Sequence, residues 1–102
     1  MIHVIATIEL NAGKADSFLA EFRRLVPLVL AEQGCLDYGP AVDLPTGIAA
    51  QGGVRTDTVT VVERWSDLPA LEAHLKAAHM AEYRGRVKDF VRGVKLQILK
   101  PV

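Results

Sequence analysis

The chain has 102 residues, half of them hydrophobic and 24% charged, which is the balance of a folded domain and excludes disorder. Twelve Lys plus Arg offset 12 Asp plus Glu, so the basic excess of a nucleic-acid or anionic-membrane binder is absent, and neither partner is expected. One domain over residues 1–102 fits this length, and a chain so small buries only about 60–65% of its unfolded surface alone. Apolar area is left seeking cover, so an oligomer is expected.

Residues 2–10 alternate. Ile2, Val4, Ala6, Ile8 and Leu10 share one face of a strand, and His3, Ile5, Thr7 and Glu9 share the other. The second face is mixed rather than charged, which points to partial cover. Asn11-Ala12-Gly13 makes a turn. Residues 14–32 then carry Phe18, Phe22, Leu25, Val26 and Val29 at helical spacing, with Pro27 inside the pattern and Gly34 placed to end it. Residues 35–44 alternate again, with Leu36, Tyr38, Val42 and Leu44 on one parity, and Pro40 assigns this strand to an edge or a bulge. Pro45–Asp57 is long for a hairpin loop, either a loose tip or a lid or arm reaching a partner.

Residues 58–65 form the clearest strand, rich in β-branched side chains, with Val59, Val61, Glu63 and Trp65 on one face. Ser66 or Asp67 caps a following helix whose stripe is Leu68, Leu71, Leu75 and Ala78. Helical character runs on to about Val91 through Tyr83, Val87 and Phe90, with a break near Ala78–His79, and Gly93 ends it. Val94, Leu96 and Ile98 alternate as a last strand. The order strand, helix, strand, strand, helix, strand predicts an α+β ferredoxin-like split β-α-β fold, an antiparallel sheet with helices on one face. The other face then awaits a second sheet, so a homodimer through the sheet face is expected.

Few residues can carry chemistry. Cys35 is the only cysteine, has no basic neighbour to activate it, and reads as structural. A free thiol, no basic leader and no long apolar run together suggest a cytoplasmic protein. On an ideal helix His74 lies roughly 60° to one side of Leu71 and His79 roughly 80° to the other. Five residues apart, they share no metal unless the helix breaks between them; if it does, both can turn toward one cavity. Each is either a packed boundary histidine or a proton-transfer group. His3 falls on the face assigned to the dimer. Trp65 is either a core anchor or a wall that stacks on a flat substrate. Glu63 sits among residues that look buried and so needs a partner, from the neighbourhood of Arg64 or from another subunit. Tyr38 and Tyr83 can offer phenols to a cavity or stand at its rim.

Glu32-Gln33-Gly34-Cys35-Leu36-Asp37-Tyr38 resembles the E-P-G-C-L-x-Y block of the antibiotic biosynthesis monooxygenase family, departing at Gln33. Glu63-Arg64-Trp65-Ser66-Asp67, followed by Ala70-Leu71 and His74, resembles its E-x-W-x-D…A-L-x-x-H block, and His79 falls where a second histidine is common. The resemblance spans Val4 to about Leu99, with Pro45–Asp57 longer than the usual hairpin. It implies a dimeric α/β barrel and a small monooxygenase using no metal, flavin or haem cofactor. Such an enzyme oxidises a flat quinol- or anthrone-like aromatic with O2. His74 would accept or orient a proton and Trp65 would stack on the ring. His79, Glu63, Tyr83 and Tyr38 would bind substrate. Haem-degrading and isomerase members share the fold. Haem degradation would want His79 for iron and an asparagine near the end of the first strand, where Ala6-Thr7-Ile8-Glu9 has none. A non-catalytic small-molecule sensor is the remaining alternative. Charge neutrality favours an uncharged, flat, apolar ligand.

Overall fold

A computed structural model describes all residues, Met1–Val102. Alternation in β1 (Ile2–Leu10) buries Val4, Ala6, Ile8 and Leu10 on one face. In β3 (Thr58–Trp65) the buried set is Val59, Val61, Glu63 and Trp65. The antiparallel register sets Ala6 opposite Val61 and Ile8 opposite Val59, so the two sets form one surface. The complete sheet runs β2-β3-β1-β4, every pair antiparallel. The α+β ferredoxin-like arrangement is therefore as the pattern predicts. β2 (Cys35–Ala41) lies at the edge, where the missing N–H of Pro40 does least harm to the ladder.

Helix α1 (Ala15–Leu30) lays Phe18, Phe22, Leu25 and Val29 on that buried surface, and Pro27 is accommodated within it. Phe22 stacks on Tyr38 at 5.4 Å and meets Tyr83 edge-on at 5.8 Å, so one aromatic cluster ties α1 to β2 and α3. Asp67, rather than Ser66, caps α2 (Leu68–Leu75), its carboxylate accepting the Ala70 N–H at 2.9 Å. The chain then leaves the helix at Lys76–Ala77, with Ala77 extended, and α3 (Ala78–Val87) follows. The break thus comes two residues before the expected place.

Three other expectations change. Within the expected stripe Leu71 is buried, but Leu68 and Ala78 are exposed, and His74 is the second buried residue of α2. Helical structure ends at Val87 rather than Val91. The Phe90 N–H donates to the Val87 carbonyl in a tight turn, and β-branched Val91 opens β4 (Val91–Leu99) opposite Leu10. Gly93 therefore lies within a strand. Finally, β2 stops at Ala41, so Val42 and Leu44 are exposed in the loop. There Arg55 grips the Asp43 carboxylate with Nε at 2.9 Å and Nη2 at 2.8 Å.

The edge at β4 decides where the site lies. Val94, Leu96 and Ile98 oppose Ile8, Ala6 and Val4 and so share the helix-covered face. Yet they are 56%, 45% and 46% exposed, because the helices do not reach across that edge. The opposite face of the sheet carries His3, Ile5 and Thr7 partly buried and Val62 exposed, with no helix over it. No helix is long and apolar enough to cross a membrane.

Candidate active site

The uncovered strip between α3 and β4 opens into a cavity of about 510 Å³. Its 16 lining residues include 12 hydrophobic ones, drawn from the sheet (Ala6, Ile8, Val61), from α1 (Phe22) and from the rim (Val94, Leu96). The other four are Glu63, His74 and the cations Arg84 and Lys88, and the hydrophobic set includes Tyr38 and Tyr83, whose phenol groups are also polar. A mostly apolar cleft with a few convergent polar groups is the usual form of a small-molecule site.

His74 is held on every side. Its ring centroid lies 4.7 Å from that of Trp65 and 5.4 Å from that of Tyr38. Its Nδ1 lies 2.9 Å from Glu32 Oε2. A carboxylate oxygen accepts there, so Nδ1 carries the proton and the lone pair sits on Nε2. Nε2 has no partner within the chain, and no unpartnered side-chain nitrogen or oxygen is sealed from solvent. The ring is only 2% exposed and lines the cavity, so Nε2 opens into it. Burial pushes the imidazole below its ordinary 6.5 although Glu32 pulls it upward, which keeps the basic form populated at neutral pH.

Glu63 supplies a second titratable group. Its Oε1 accepts the indole N–H of Trp65 at 2.9 Å. The partner of this buried acid is therefore Trp65, the residue beside Arg64 on the same strand, as the first of the two expectations has it. Burial raises the carboxyl to about 6, with the indole bond opposing the rise. Burial likewise holds both phenols well above the usual tyrosine range, most strongly for Tyr38, so both remain O–H donors. Neither phenol oxygen has a partner within the chain, and both residues line the cavity.

The remaining two expected site residues lie outside the lining. Trp65 is fully enclosed; it packs against His74 with the rings tilted by 37° and holds Glu63, so it backs the site rather than walling it. His79 reaches Glu32 Oε2 with Nε2 at 2.7 Å. The helix break makes this possible: two imidazoles five residues apart converge on one oxygen only because α2 and α3 are separate. The donor atoms of Glu32, His74 and His79 lie within 4.8 Å of one another, close enough for one metal ion, which a continuous helix would not allow.

Glu32 was not among the expected site residues. Its place depends on Gly34, whose φ of +83° suits glycine alone and whose missing side chain admits Ala70 and Ser66. An added Cβ would stand 2.6 Å from the Ala70 methyl and 2.7 Å from Ser66 Oγ. Cys35 is partly buried beside this turn, and burial pushes its thiol up, as befits a structural cysteine.

Residues 1–86 match the family model described as antibiotic biosynthesis monooxygenase. The Escherichia coli (strain K12) protein named "Probable quinol monooxygenase YgiN" is 37% identical over 103 residues, covering 99% of this chain and 98% of its own. PA3566 from Pseudomonas aeruginosa superposes with a TM-score of 0.81 at 28% identity, over 99% of this chain and 93% of that one. Rv0793 from Mycobacterium tuberculosis shares the fold, with a TM-score of 0.79 at 22% identity over 99% and 94%. Glu32, Gly34 and Tyr38 from the first sequence block, and Glu63, Trp65 and His74 from the second, meet in and behind one cavity, and the match extends over most of the chain: it belongs to the antibiotic biosynthesis monooxygenase family.

Proposed function

We propose that the chain is a cofactor-independent monooxygenase that binds a small flat quinol- or anthrone-like aromatic in the cavity and oxidises it with O2. The observation that carries this reading is the Glu32–His74 pair, with its free Nε2 opening into an apolar, aromatic-sided cleft. Nε2 takes the phenolic proton of the substrate. The resulting anion is electron-rich enough to reduce O2, and a carbon–oxygen bond forms at the ring to give a hydroperoxide. Loss of the ring-carbon proton then breaks the O–O bond, and hydroxide leaves, protonated, as water. For a quinol the sum is quinol plus O2 giving hydroxyquinone plus water, one oxygen atom going to each product. The substrate supplies all the electrons. The protein contributes orientation, a base and exclusion of bulk water.

Tyr38 and Tyr83, kept protonated, orient the substrate oxygens as donors. Glu63, raised to about 6, holds a proton or releases it near neutral pH beside the same ring. Trp65 and His79 position Glu63 and Glu32 and do not touch substrate.

The bare sheet face is read as the contact of a homodimer. Ile5, Thr7 and Val62 lie on it without cover from the chain's own helices, and a second copy would close the barrel.

Oxygen uptake with a reduced naphthoquinol tests the activity. The expected result is turnover well above autoxidation, lost in His74→Ala. A rate equal to autoxidation would defeat the proposal. Light scattering of the eluting protein tests the dimer; a monomer at micromolar concentration would remove it.

A further inference from the structure

The cavity carries two cations that the chemistry above does not use. Arg84 in the last turn of α3 and Lys88 at its C-cap stand one turn apart, in the same row as Met80, and all three line the cavity. Neither cation has an acidic partner. Other unpaired cations, such as Lys14, Arg23 and Lys76, lie away from the cavity, whereas Arg84 and Lys88 both border it. A basic residue in the last turn of a helix is favoured by the helix dipole, which accounts for Arg86 as well. The dipole favours Arg84 and Lys88 at this helix end too, but it does not set that both border an apolar cleft, where like charges four residues apart oppose each other.

Arg84 is also fixed. Its Nη2 donates to the Leu75 carbonyl at 2.9 Å, at the end of α2, which holds the guanidinium at the helix junction with its other N–H groups unbonded. Its charge is felt by both His74 and Tyr83. The cleft is therefore polarised. It has an acceptor end, with Glu63 and His74 Nε2, and a cationic end on the exposed side of α3.

From this arrangement we infer that the ligand is an aromatic acid, with its hydroxyl at His74 and a carboxylate against Arg84 and Lys88. The inference rests on the reading of the cavity as an aromatic site and narrows its substrate class. It reverses the expectation of an uncharged ligand drawn from net charge, because a zero sum conceals a local excess. A guanidinium fork matches a planar carboxylate, and Lys88 adds a point charge beside it.

Calorimetric titration at low ionic strength with two probes tests the inference. One is 2-naphthol and the other is 6-hydroxy-2-naphthoate, the same ring system with a carboxylate at the end opposite the hydroxyl. The native protein is expected to bind the hydroxynaphthoate about tenfold more tightly, a gain discounted for the exposure of both cations. Added salt should shrink the ratio. In Arg84→Gln/Lys88→Gln the ratio should fall to near one, and in Arg84→Lys/Lys88→Arg it should survive. Equal binding of the two probes by native protein, or a ratio unchanged in the Gln variant, overturns the inference and leaves the aromatic site standing. If neither probe binds, the aromatic site and the inference fall together.

Discussion

Replacing Glu63 by Gln separates the energetic cost of its charge from the value of its hydrogen bond. The amide oxygen still accepts the Trp65 indole, and the shape of the side chain is kept. Burial raises the carboxyl from the ordinary 4.5 to about 6. That gap corresponds to roughly 2 kcal/mol, at about 1.4 kcal/mol per decade of proton affinity. The sign follows from linkage: the folded state holds this proton more tightly than the unfolded one. Its contribution is fully present below pH 4.5 and is lost as pH rises through about 6. The native protein therefore gives up stability across that window and the Gln variant does not. Urea unfolding of both proteins at a series of pH values from below 4.5 to above 6 measures the difference. The variant's advantage should be about 2 kcal/mol greater at the alkaline end than at the acid end. A difference flat with pH, or one that grows toward acid, would refute the claim that burial controls this carboxyl.

The other predictions follow from the same contacts. His74→Ala should lower the rate of oxygen uptake by roughly a hundredfold or more, the usual worth of a positioned base. Glu32→Gln should shift the acid limb of the pH–rate profile to lower pH, since the carboxylate it removes raises the His74 pKa; a limb that moves upward would contradict the pairing. Gly34→Ala should cost about 3 kcal/mol in urea unfolding, combining left-handed strain with overlap against Ala70 and Ser66. Arg55→Ala should leave the melting temperature nearly unchanged, because its pair with Asp43 is exposed, while limited proteolysis cuts faster between Val42 and Asp57.

Strand parity carried most of the fold. Val4 to Leu10 and Val59 to Trp65 alternate because one face of the sheet is dry, and that signal is local. Segment ends were harder. Helical spacing continues past Val87 through Phe90 and Val91, and only the competition of Val91 for Leu10, in a distant strand, ends the helix. Leu36, Val42 and Leu44 share parity with Tyr38, yet a register shift beyond Cys35 and the end of β2 leave them exposed. His74, Glu63, Tyr38 and Tyr83 were legible because a polar group on an apolar stripe stands out. Glu32 was not. It lies 42 positions from its partner His74, and its one sequence sign was its place at the head of the block containing Gly34 and Tyr38. Arg84 and Lys88 carry no such sign, since only the position of β4 shows that their side of the helix borders a cleft.

The strip left open along β4 also bears on how finished this domain is. A protein of 102 residues has little core to spare, and here a cavity of about 510 Å³ lies between sheet and helices. An apolar ligand seated there acts as the missing piece of the interior. Ligand present at a hundred times its dissociation constant would add about 2.7 kcal/mol to folding stability. In a domain this small, that moves the melting temperature by roughly 10–20 °C. Thermal melting is therefore a sensitive way to search for the natural occupant, and it needs no assumption about the reaction. It also means that unliganded protein in the cell would be the form most readily unfolded and degraded, so the abundance of the protein would follow the supply of its ligand.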